Sequence, residues 1–416
     1  MKNHENPPEF PAAYAMAAFT CPILAVVAPL GLAPMGLGLG ILALVAARRS
    51  GMKAGNWLGW LAVPALVCLW GAISAIWAAD PTRALSTSVR LLAISVTGLA
   101  TAAVLPRLTP RSTRAVALGL ASSIVLATVL LTVEYLSGNR LSALVMEIRG
   151  HKPFPDGAKS QLSRGATVVA VMLWPAALLL ARFYGRRAGM ALIAVAACSL
   201  LLGDSLAARM ALITSGAVAA TAFLHPALIR SVLRWGLVAA TLAMPLGAQF
   251  LPSPPHSWEI FPDLPLSAHQ RLGIWNFAGN RATEHPLLGW GLDASRAIPG
   301  GDEELFINRM ASANNIMWTL TGQRLPLHPH NAFLQWGLEL GLVGSALMAA
   351  FLWQLGGRTA CIPAPGARAA AAGALAAAAT ISAVSYGFWQ SWWLVTLWLT
   401  AALCALAARV KAEDLP

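Results

Sequence analysis

Charged side chains are scarce in this sequence of 416 residues, where Asp, Glu, Lys and Arg together make up 11%. Soluble domains carry about 25% charged residues, so an ordinary soluble enzyme is excluded. The hydrophobic fraction of 57% excludes intrinsic disorder. The apolar runs are long, whereas an outer-membrane barrel has short alternating strands. The sequence therefore predicts an all-α fold, that of a polytopic membrane protein.

Several functional signatures are also absent. The five cysteines lie in or beside apolar runs and lack metal-ligand spacing, which predicts packing residues and neither a disulfide framework nor a metal site. The sequence has no P-loop, and Gly36–Gly40 lies in an apolar segment that predicts close helix packing, so no cofactor is expected. Met1–Phe10 lacks a basic region before an apolar core, so no cleaved signal peptide is expected.

Long apolar windows set the predicted organisation of the chain. A membrane-crossing helix needs about 20 apolar residues. About twelve spans are predicted, near residues 12–32, 34–47, 57–79, 85–105, 115–136, 165–182, 188–203, 206–224, 235–251, 331–355, 369–387 and 391–408. The eleventh is rich in alanine, which suits a closely packed interior helix. Three regions follow: 1–251 with nine spans and a minor loop at about 138–164, a large loop at 252–330, and 331–416 with three spans and a tail.

The net charge of +12 is predicted to reflect membrane topology and contact with membrane lipids, without a nucleic-acid partner. Arginines and lysines concentrate in the connections after even-numbered spans, and these connections are expected to be cytoplasmic. Both termini are then cytoplasmic, and both long loops lie on the far side. In the larger loop, Ala268–Thr283 and Asp302–Thr319 are helix-like. The loop is therefore predicted to form a periplasmic helical cap over the bundle.

Arginines on the predicted far side need an explanation, because a cation at the centre of a span costs roughly 2.5–3.5 kcal/mol. The set comprises Arg90, Arg164, Arg209, Arg271, Arg281 and Arg296. One alternative is snorkelling to headgroups or an internal ion pair with Asp204 or Glu134. Few carboxylates are available, however, and guanidinium groups match phosphate oxygens. The set therefore predicts a site for a phospholipid or a polyprenyl diphosphate.

A histidine pair precedes the tenth span. Asn331 is a favourable N-cap, which places His330 at the positive end of a helix, where a neutral imidazole is favoured and can act as a general base. His328 has the alternative of a structural, hydrogen-bonded histidine. Gln335 and Glu339 follow Asn331 at spacings of four and share one helix face, with interhelical hydrogen bonding as the alternative. The two histidines lack a third ligand for a metal.

These motifs together resemble the O-antigen ligase and polymerase family of bacterial envelope enzymes. The motifs are Arg271–Trp275, His285–Gly291, His330–Gln335, Gly341 and Gly344, and the resemblance spans roughly 160–350. Asn276–Arg296, Ser163-Arg164-Gly-Ala and Trp174-Pro175 are more similar to the ligase branch.

The resemblance implies a GT-C-like, metal-independent inner-membrane glycosyltransferase. Such ligases move a polysaccharide from undecaprenyl diphosphate to a sugar hydroxyl of lipid A core at the periplasmic face. It implies that His330 is the base and that Arg271 and Arg164 hold the diphosphate. Arg209, Arg90, Arg296, His328, Asn331, Gln335 and Glu339 are implied substrate-binding residues.

Three alternatives remain. An O-antigen polymerase uses the same donor with a lipid-linked glycan as acceptor. The polymerases often have Gly eleven positions after a loop arginine, a spacing that no candidate arginine here shows. A protein O-oligosaccharyltransferase would use Ser, Thr or Tyr of a pilin-like protein. A transporter or flippase of a lipid-linked anion would show inverted repeats, and none is detected in the sequence.

Overall fold

The protein is described by a computed structural model that covers residues 9–52, 59–148, 150, 155–254, 256–312 and 315–410. The helices are α1 (Pro11–Val27), α2 (Leu32–Arg49), α3 (Ala62–Ile73), α4 (Pro81–Val104), α5 (Pro110–Ser137), α6 (Arg140–Ile148), α7 (Pro155–Tyr184), α8 (Arg186–Leu202), α9 (Leu206–Leu224), α10 (Pro226–Gly247), α11 (His256–Ile260), α12 (Leu266–Glu284), α13 (Ala332–Ala360), α14 (Pro365–Val384) and α15 (Ser391–Arg409). The predicted all-α polytopic fold is confirmed.

Each of the twelve predicted spans coincides with one of these helices. Within the described ranges, nine helices are long and apolar enough to cross a membrane. The other three, α1, α3 and α8, are shorter, at 17, 12 and 17 residues. The predicted division into 1–251, 252–330 and 331–416 stays a prediction, as do the sides on which the two termini lie.

Small residues bring the helices close together. A Cβ atom on Gly36 would lie 2.1 Å from Cγ1 of Val395, and one on Gly40 would lie 2.3 Å from Cβ of Thr97. These contacts confirm the predicted packing role for Gly36 and Gly40, because only a residue without a side chain permits such approaches, whereas a Cβ on Gly38 would meet nothing within 4 Å. The alanine-rich helix α14 is likewise an interior helix with most of its alanines buried.

The large loop contains one long helix and one hairpin. Helix α12 confirms the helix predicted over Ala268–Thr283. The second prediction, a helix-like stretch over Asp302–Thr319, is wrong, because β1 (Glu304–Ser312) and β2 (Asn315–Gln323) form an antiparallel pair. The segment 304–323 contains Phe306, Ile307, Ile316, Trp318, Thr319 and Thr321, residue types that favour strands. The loop thus combines the short helix α11 and the longer α12 with a hairpin, and is not a purely helical cap.

Helix α12 is fixed on the end of α10. The amide nitrogen of Asn276 donates to the carbonyl oxygens of Gln249 and Leu251, at 2.9 and 2.7 Å. A Cβ atom on Gly279 would lie 2.4 Å from the backbone nitrogen of Gln249, so the two segments pack backbone to backbone. This contact places the motif that contains Arg271 at the end of the bundle where α13 begins.

Candidate functional site

The segment from His328 to Asn331 leads into α13. Asn331 is the N-cap, as predicted, because its Oδ1 accepts a hydrogen bond from the backbone N–H of Leu334 at 3.0 Å. The indole N–H of Trp275 donates to the carbonyl oxygen of Pro329 at 2.8 Å, which joins α12 to this segment. His330 has a φ of 56°, a left-handed conformation that is strained for a residue with a side chain.

The hydrogen bond of His330 determines its tautomer. Nδ1 lies 2.5 Å from the carbonyl oxygen of Ser385. A carbonyl oxygen only accepts, so Nδ1 carries the proton and the neutral ring leaves the lone pair on Nε2 available. Burial lowers the pKa of His330 to about 4; the carbonyl of Ser385 opposes this shift, and the charge of Arg271 adds to it. His330 is therefore a neutral imidazole at neutral pH.

His328 lies beside His330, with 4.3 Å between the ring centroids. The backbone N–H of His330 donates to its Nδ1 at 3.2 Å, and the side-chain amide nitrogen of Gln390 lies 3.1 Å from its Nε2. Because Nδ1 accepts a hydrogen bond, the doubly protonated form is disfavoured. Burial lowers the pKa of His328 to about 3, with further contributions from His330, Arg296 and Arg164. The packing favours the structural alternative for this residue.

The connection between α14 and α15, residues 385–390, forms one wall of the site and was missed by the sequence analysis. It supplies the carbonyl oxygen of Ser385 and the amide of Gln390. A Cβ atom on Gly387 would lie 2.6 Å from Cδ2 of His328, so the connection packs directly on the histidine pair. The sequence signal was the segment Ser-Tyr-Gly-Phe-Trp-Gln between two apolar spans, and the predicted eleventh span, 369–387, included its first half.

Tyr386 lies near two of the predicted site arginines, Arg164 and Arg271. Its ring is 4.8 Å from that of Trp392, and the guanidinium carbon of Arg164 is 5.9 Å from the centroid of Trp392. The Tyr386 hydroxyl lies 3.5 Å from Oγ of Ser163. Tyr386 is also close enough to Arg271 to influence the pKa of its guanidinium group. The connection therefore brings Arg164 of α7 and Arg271 of α12 to the same region as the histidine pair.

Arg164 and Arg271 have unsatisfied donors. The Nε atom of each is buried and has no hydrogen-bond partner in the described part of the chain. Burial lowers the pKa of Arg271, whose NH1 makes only a long contact of 3.4 Å with the carbonyl oxygen of Ser267. A buried N–H without an acceptor costs about 1–3 kcal/mol. An external anion would satisfy both residues.

Arg209 and Arg296 border this cluster. Nε of Arg209 is also buried and without a partner, while its NH2 donates to the carbonyl oxygen of Gly203. Arg209 and Tyr386 both lie close enough to Tyr135 to influence the ionisation of its hydroxyl. Arg296 is exposed and acts on His328 through its charge. Unpartnered buried Nε atoms also occur at Arg182 and Arg234, so this feature points to a site only where other site groups meet it.

Arg90 is engaged within the protein. Its NH2 lies 3.9 Å from Oδ2 of Asp293 and donates to the hydroxyl of Thr87 at 3.1 Å. The structure thus favours the ion-pair alternative for Arg90, with a partner in the large loop. Of the two partners considered from the sequence, Glu134 instead accepts from the backbone N–H of Ser142 at 3.0 Å. The assignment of Arg90 to substrate binding stays a prediction.

Glu339 and Gln335 form a buried network. Oε1 of Glu339 accepts from the hydroxyl of Ser295 and the amide of Gln335, and Oε2 accepts from the backbone N–H of Asp293 and the indole of Trp389. Glu339 is 0% exposed. This geometry favours the hydrogen-bonding alternative, and direct substrate contact by either residue stays a prediction.

A break in α13 explains the motif His285–Gly291. Gly341 has φ 64° and ψ −163°, so the helix is interrupted there. The freed carbonyl oxygens of Leu338 and Glu339 accept from the backbone N–H groups of Trp290 and Gly291 at 3.0 and 2.8 Å. The motif therefore satisfies the open backbone of the membrane helix, as a break within a bilayer requires.

The described residues contain no group of three or more His, Cys, Asp or Glu that could hold a metal ion. The fold and site define a polytopic membrane protein with a cationic, histidine-containing site at one end of its helix bundle.

Comparison with curated proteins finds relatives named for one activity. The chain is 29% identical over 234 residues to a protein named "Putative polysaccharide ligase" from Rickettsia conorii, and 29% identical over 233 residues to one so named from Rickettsia felis. Each match covers 56% of this chain, and 54% and 55% of the relatives, so the chain spans about half the length of the curated relatives it matches. No protein-family model matches the chain. These relatives are consistent with the resemblance to O-antigen ligases.

Proposed function

We propose that this chain is a glycosyltransferase of the O-antigen ligase type. It joins O-antigen polysaccharide from undecaprenyl diphosphate to a hydroxyl of lipid A core, at the periplasmic face of the bacterial inner membrane. The observation that carries the proposal is that Arg164 and Arg271, each with an unpartnered buried Nε, lie near the histidine pair, Arg164 near His328 and Arg271 near the neutral imidazole of His330. The names of the relatives support a polysaccharide as substrate.

The arginines serve the donor in this proposal. When the bond between the anomeric carbon and the diphosphate breaks, the leaving oxygen gains negative charge. Arg271 and Arg164 are fixed before the reaction and stabilise that charge in a site shielded from water. Their planar guanidinium groups match two phosphate oxygens at once. Diphosphate is a good leaving group, so no separate acid is required.

His330 serves the acceptor. Its Nε2 accepts the proton of the sugar hydroxyl while the oxygen attacks the anomeric carbon, and undecaprenyl diphosphate leaves with the bonding electron pair. The carbonyl oxygen of Ser385 holds the Nδ1 proton, and it stabilises the imidazolium that forms. After the transfer, this imidazolium releases its proton to water because its pKa is low.

The bound donor adjusts the strength of the base. A free-enzyme pKa of about 4 makes His330 a weak base. The bound diphosphate brings negative charges that offset the positive charge of Arg271, and nearby negative charge raises the pKa of an imidazole. Donor binding thus strengthens the base before the acceptor reacts. In the empty site, the low pKa of His330 keeps the imidazole from taking up a proton.

Reconstitution tests the proposal and separates the alternatives. The purified protein in liposomes receives undecaprenyl-diphosphate-linked glycan and, in separate reactions, lipid A core, a second lipid-linked glycan, or a pilin-like protein, without nucleotide. Glycan joined to lipid A core is the expected product. Product only with the second or third acceptor would indicate a polymerase or a protein oligosaccharyltransferase. Movement of lipid-linked glycan across the bilayer without a new bond would indicate a transporter. As a control for the preparation of variants, Arg187→Gln changes an exposed arginine remote from the site and should form the same product at the same rate as the unchanged protein.

A further inference from the structure

A group of polar side chains lies where the ends of α5, α7 and α9 meet. Tyr135 is in the last turn of α5, and its ring packs on Gly203, where a Cβ atom would lie 2.3 Å from Cε2 of the ring. The carbonyl oxygen of Gly203 also accepts a hydrogen bond from NH2 of Arg209. Beside them, the hydroxyl oxygens of Ser163 and Ser205 are 2.8 Å apart. We call Tyr135, Ser163, Ser205 and Arg209 the tyrosine pocket.

The tyrosine pocket contains two buried donors that have no acceptor. The hydroxyl of Tyr135 and Nε of Arg209 are both buried, and neither has a hydrogen-bond partner among the described residues. Tyr14 also has an unpaired buried hydroxyl, but it lies among apolar side chains. At Tyr135, by contrast, the hydroxyl and a guanidinium group meet at the same glycine. Asp204 is close by as well, but it is exposed, so water screens its charge. An anion would supply the missing acceptor for both donors.

Tyr386 connects the tyrosine pocket with the histidine pair. Its hydroxyl lies 3.5 Å from Oγ of Ser163, and it is close to both Tyr135 and Arg271. Arg271 is in turn close to His330. The pocket is therefore reached from the Tyr386 hydroxyl through the two serines, whereas Arg271 lies on the side of the imidazole. Two cationic positions thus adjoin one tyrosine.

We propose that Tyr135 is a substrate-binding residue, whose hydroxyl joins Nε of Arg209 in binding one phosphate of the donor while Arg271 binds the other beside His330. This inference rests on the proposed function, which supplies the diphosphate. Phosphate oxygens accept hydrogen bonds from both hydroxyl and guanidinium groups, and charge makes these bonds strong. No bond to Tyr135 is made or broken in the transfer. The hydroxyl is unpaired in the empty protein and finds its acceptor when the donor binds.

Native mass spectrometry of the delipidated full chain in detergent tests this inference. The unchanged protein and Tyr135→Phe are titrated with undecaprenyl diphosphate, undecaprenol and phosphatidylglycerol. We expect Tyr135→Phe to bind undecaprenyl diphosphate about ten-fold more weakly and to bind undecaprenol as before, because only the diphosphate uses the hydroxyl. Tyr14→Phe is the matched control, since it also removes an unpaired buried hydroxyl, and it should bind all three lipids like the unchanged protein.

Thermal unfolding separates a binding role from a structural one. Without ligand, Tyr135→Phe should be at least as stable as the unchanged protein, because the variant loses a buried donor that had no acceptor. Undecaprenyl diphosphate should raise the Tm of the unchanged protein more than that of the variant. A lower Tm of the empty variant, together with an unchanged rise on adding ligand, would overturn the inference.

A double-mutant cycle tests whether the two donors share one phosphate. Arg209→Lys keeps the charge and removes Nε, and its effect on the binding of undecaprenyl diphosphate should not add to that of Tyr135→Phe. Fully additive effects would contradict a shared phosphate and overturn the inference.

The outcomes also distinguish this inference from the proposed function. If Tyr135→Phe binds undecaprenyl diphosphate as tightly as the unchanged protein does, the inference fails and the proposed function stands. If the unchanged protein binds undecaprenyl diphosphate no better than undecaprenol, both fail. Equally tight binding of phosphatidylglycerol that is weakened to the same extent by Tyr135→Phe would show a general phospholipid site, and it too would overturn the inference.

Discussion

The backbone N–H of Asp293 donates to Oε2 of Glu339 at 2.7 Å, which ties the large loop to the middle of a membrane helix. The same residue, Asp293, has a φ of 58° and pairs through its carboxylate with Arg83 and Arg90. The carboxylate of Glu339 in α13 thus holds the strained loop residue Asp293, whose own carboxylate pairs with two arginines of α4. The network therefore makes the position of this part of the loop depend on a fully buried carboxylate of α13.

Glu339→Ala should destabilise the protein strongly. The change leaves four donors without an acceptor in a fully buried position, at about 1–3 kcal/mol for each buried group. We expect the free energy of unfolding to fall by about 3–5 kcal/mol, measured by thermal unfolding in detergent. Glu259→Ala, at a 69% exposed side chain, should be nearly neutral. Equal melting temperatures for the two variants would contradict the role assigned to this network.

Gly341→Ala should disrupt the break in α13. Its backbone φ of 64° is unfavourable for alanine, and the added Cβ would lie 2.3 Å from the carbonyl oxygen of Leu287. We expect a loss of about 2 kcal/mol or more in stability, together with lower activity. Gly216→Ala in α9 is the control, because a Cβ there meets nothing within 4 Å. A Gly341→Ala protein as stable as this control would argue against the described backbone contact.

His330→Ala should lower the rate of glycan transfer by about 10²–10⁴-fold, the usual contribution of a general base. The rate is measured in liposomes with saturating donor and acceptor. His225→Ala, which removes an exposed histidine between α9 and α10, should leave the rate unchanged. Binding of the donor to the His330 variant should persist, since the arginines remain. Transfer at the normal rate would exclude His330 as the base.

Arg271→Lys should be poorly tolerated although it keeps the charge. Lysine cannot place two parallel donors on a diphosphate, so we expect at least a ten-fold loss of kcat/KM. Arg281→Lys on the same helix is the matched control, because Arg281 pairs with the exposed Glu284 at 2.8 Å. Comparable kinetics for the two variants would count against a bidentate contact at Arg271.

The pH dependence of transfer should reflect the lowered pKa of His330. Because the neutral form persists below the ordinary value of 6.5, kcat/KM should remain on its plateau until about pH 4. With the diphosphate bound, kcat should decline at a higher pH. Folding is monitored in parallel, since the unfolded chain takes up protons that the buried imidazole resists, and stability falls as the pH drops from 6.5 towards 4. A common decline near pH 6.5 in both kinetic parameters would contradict the assignment.

Hydropathy alone predicted the twelve helices that coincide with the spans, because long apolar runs have few other folds available in a bilayer. The N-cap at Asn331 was also predictable, since it depends only on local residues. The hairpin at 304–323 was not predicted, because its alternation is interrupted by an irregular register between Arg309 and Met310. Short strands of this kind give a weak signal beside membrane helices.

Which residues belong to the site was harder to predict than which residue types it contains. Arg271, Arg164 and His330 were selected by type and motif, and the structure brings them together around Tyr386. Arg90 was selected on the same grounds. Its partner Asp293 lies 203 positions away in the chain (293 − 90), in a part of the large loop for which no fold was predicted from the sequence. Such pairings depend on tertiary packing, which no local pattern records.

The Nδ1–H group of His330 donates its hydrogen bond to a main-chain carbonyl oxygen, that of Ser385. A substitution of the Ser385 side chain therefore leaves this hydrogen-bond acceptor in the chain. Insertions and deletions act differently. One residue added to or removed from 385–390 would move the oxygen by up to about 3.5 Å, more than the length of the hydrogen bond. The length of this connection, and not the identity of its first side chain, is therefore what keeps the imidazole oriented.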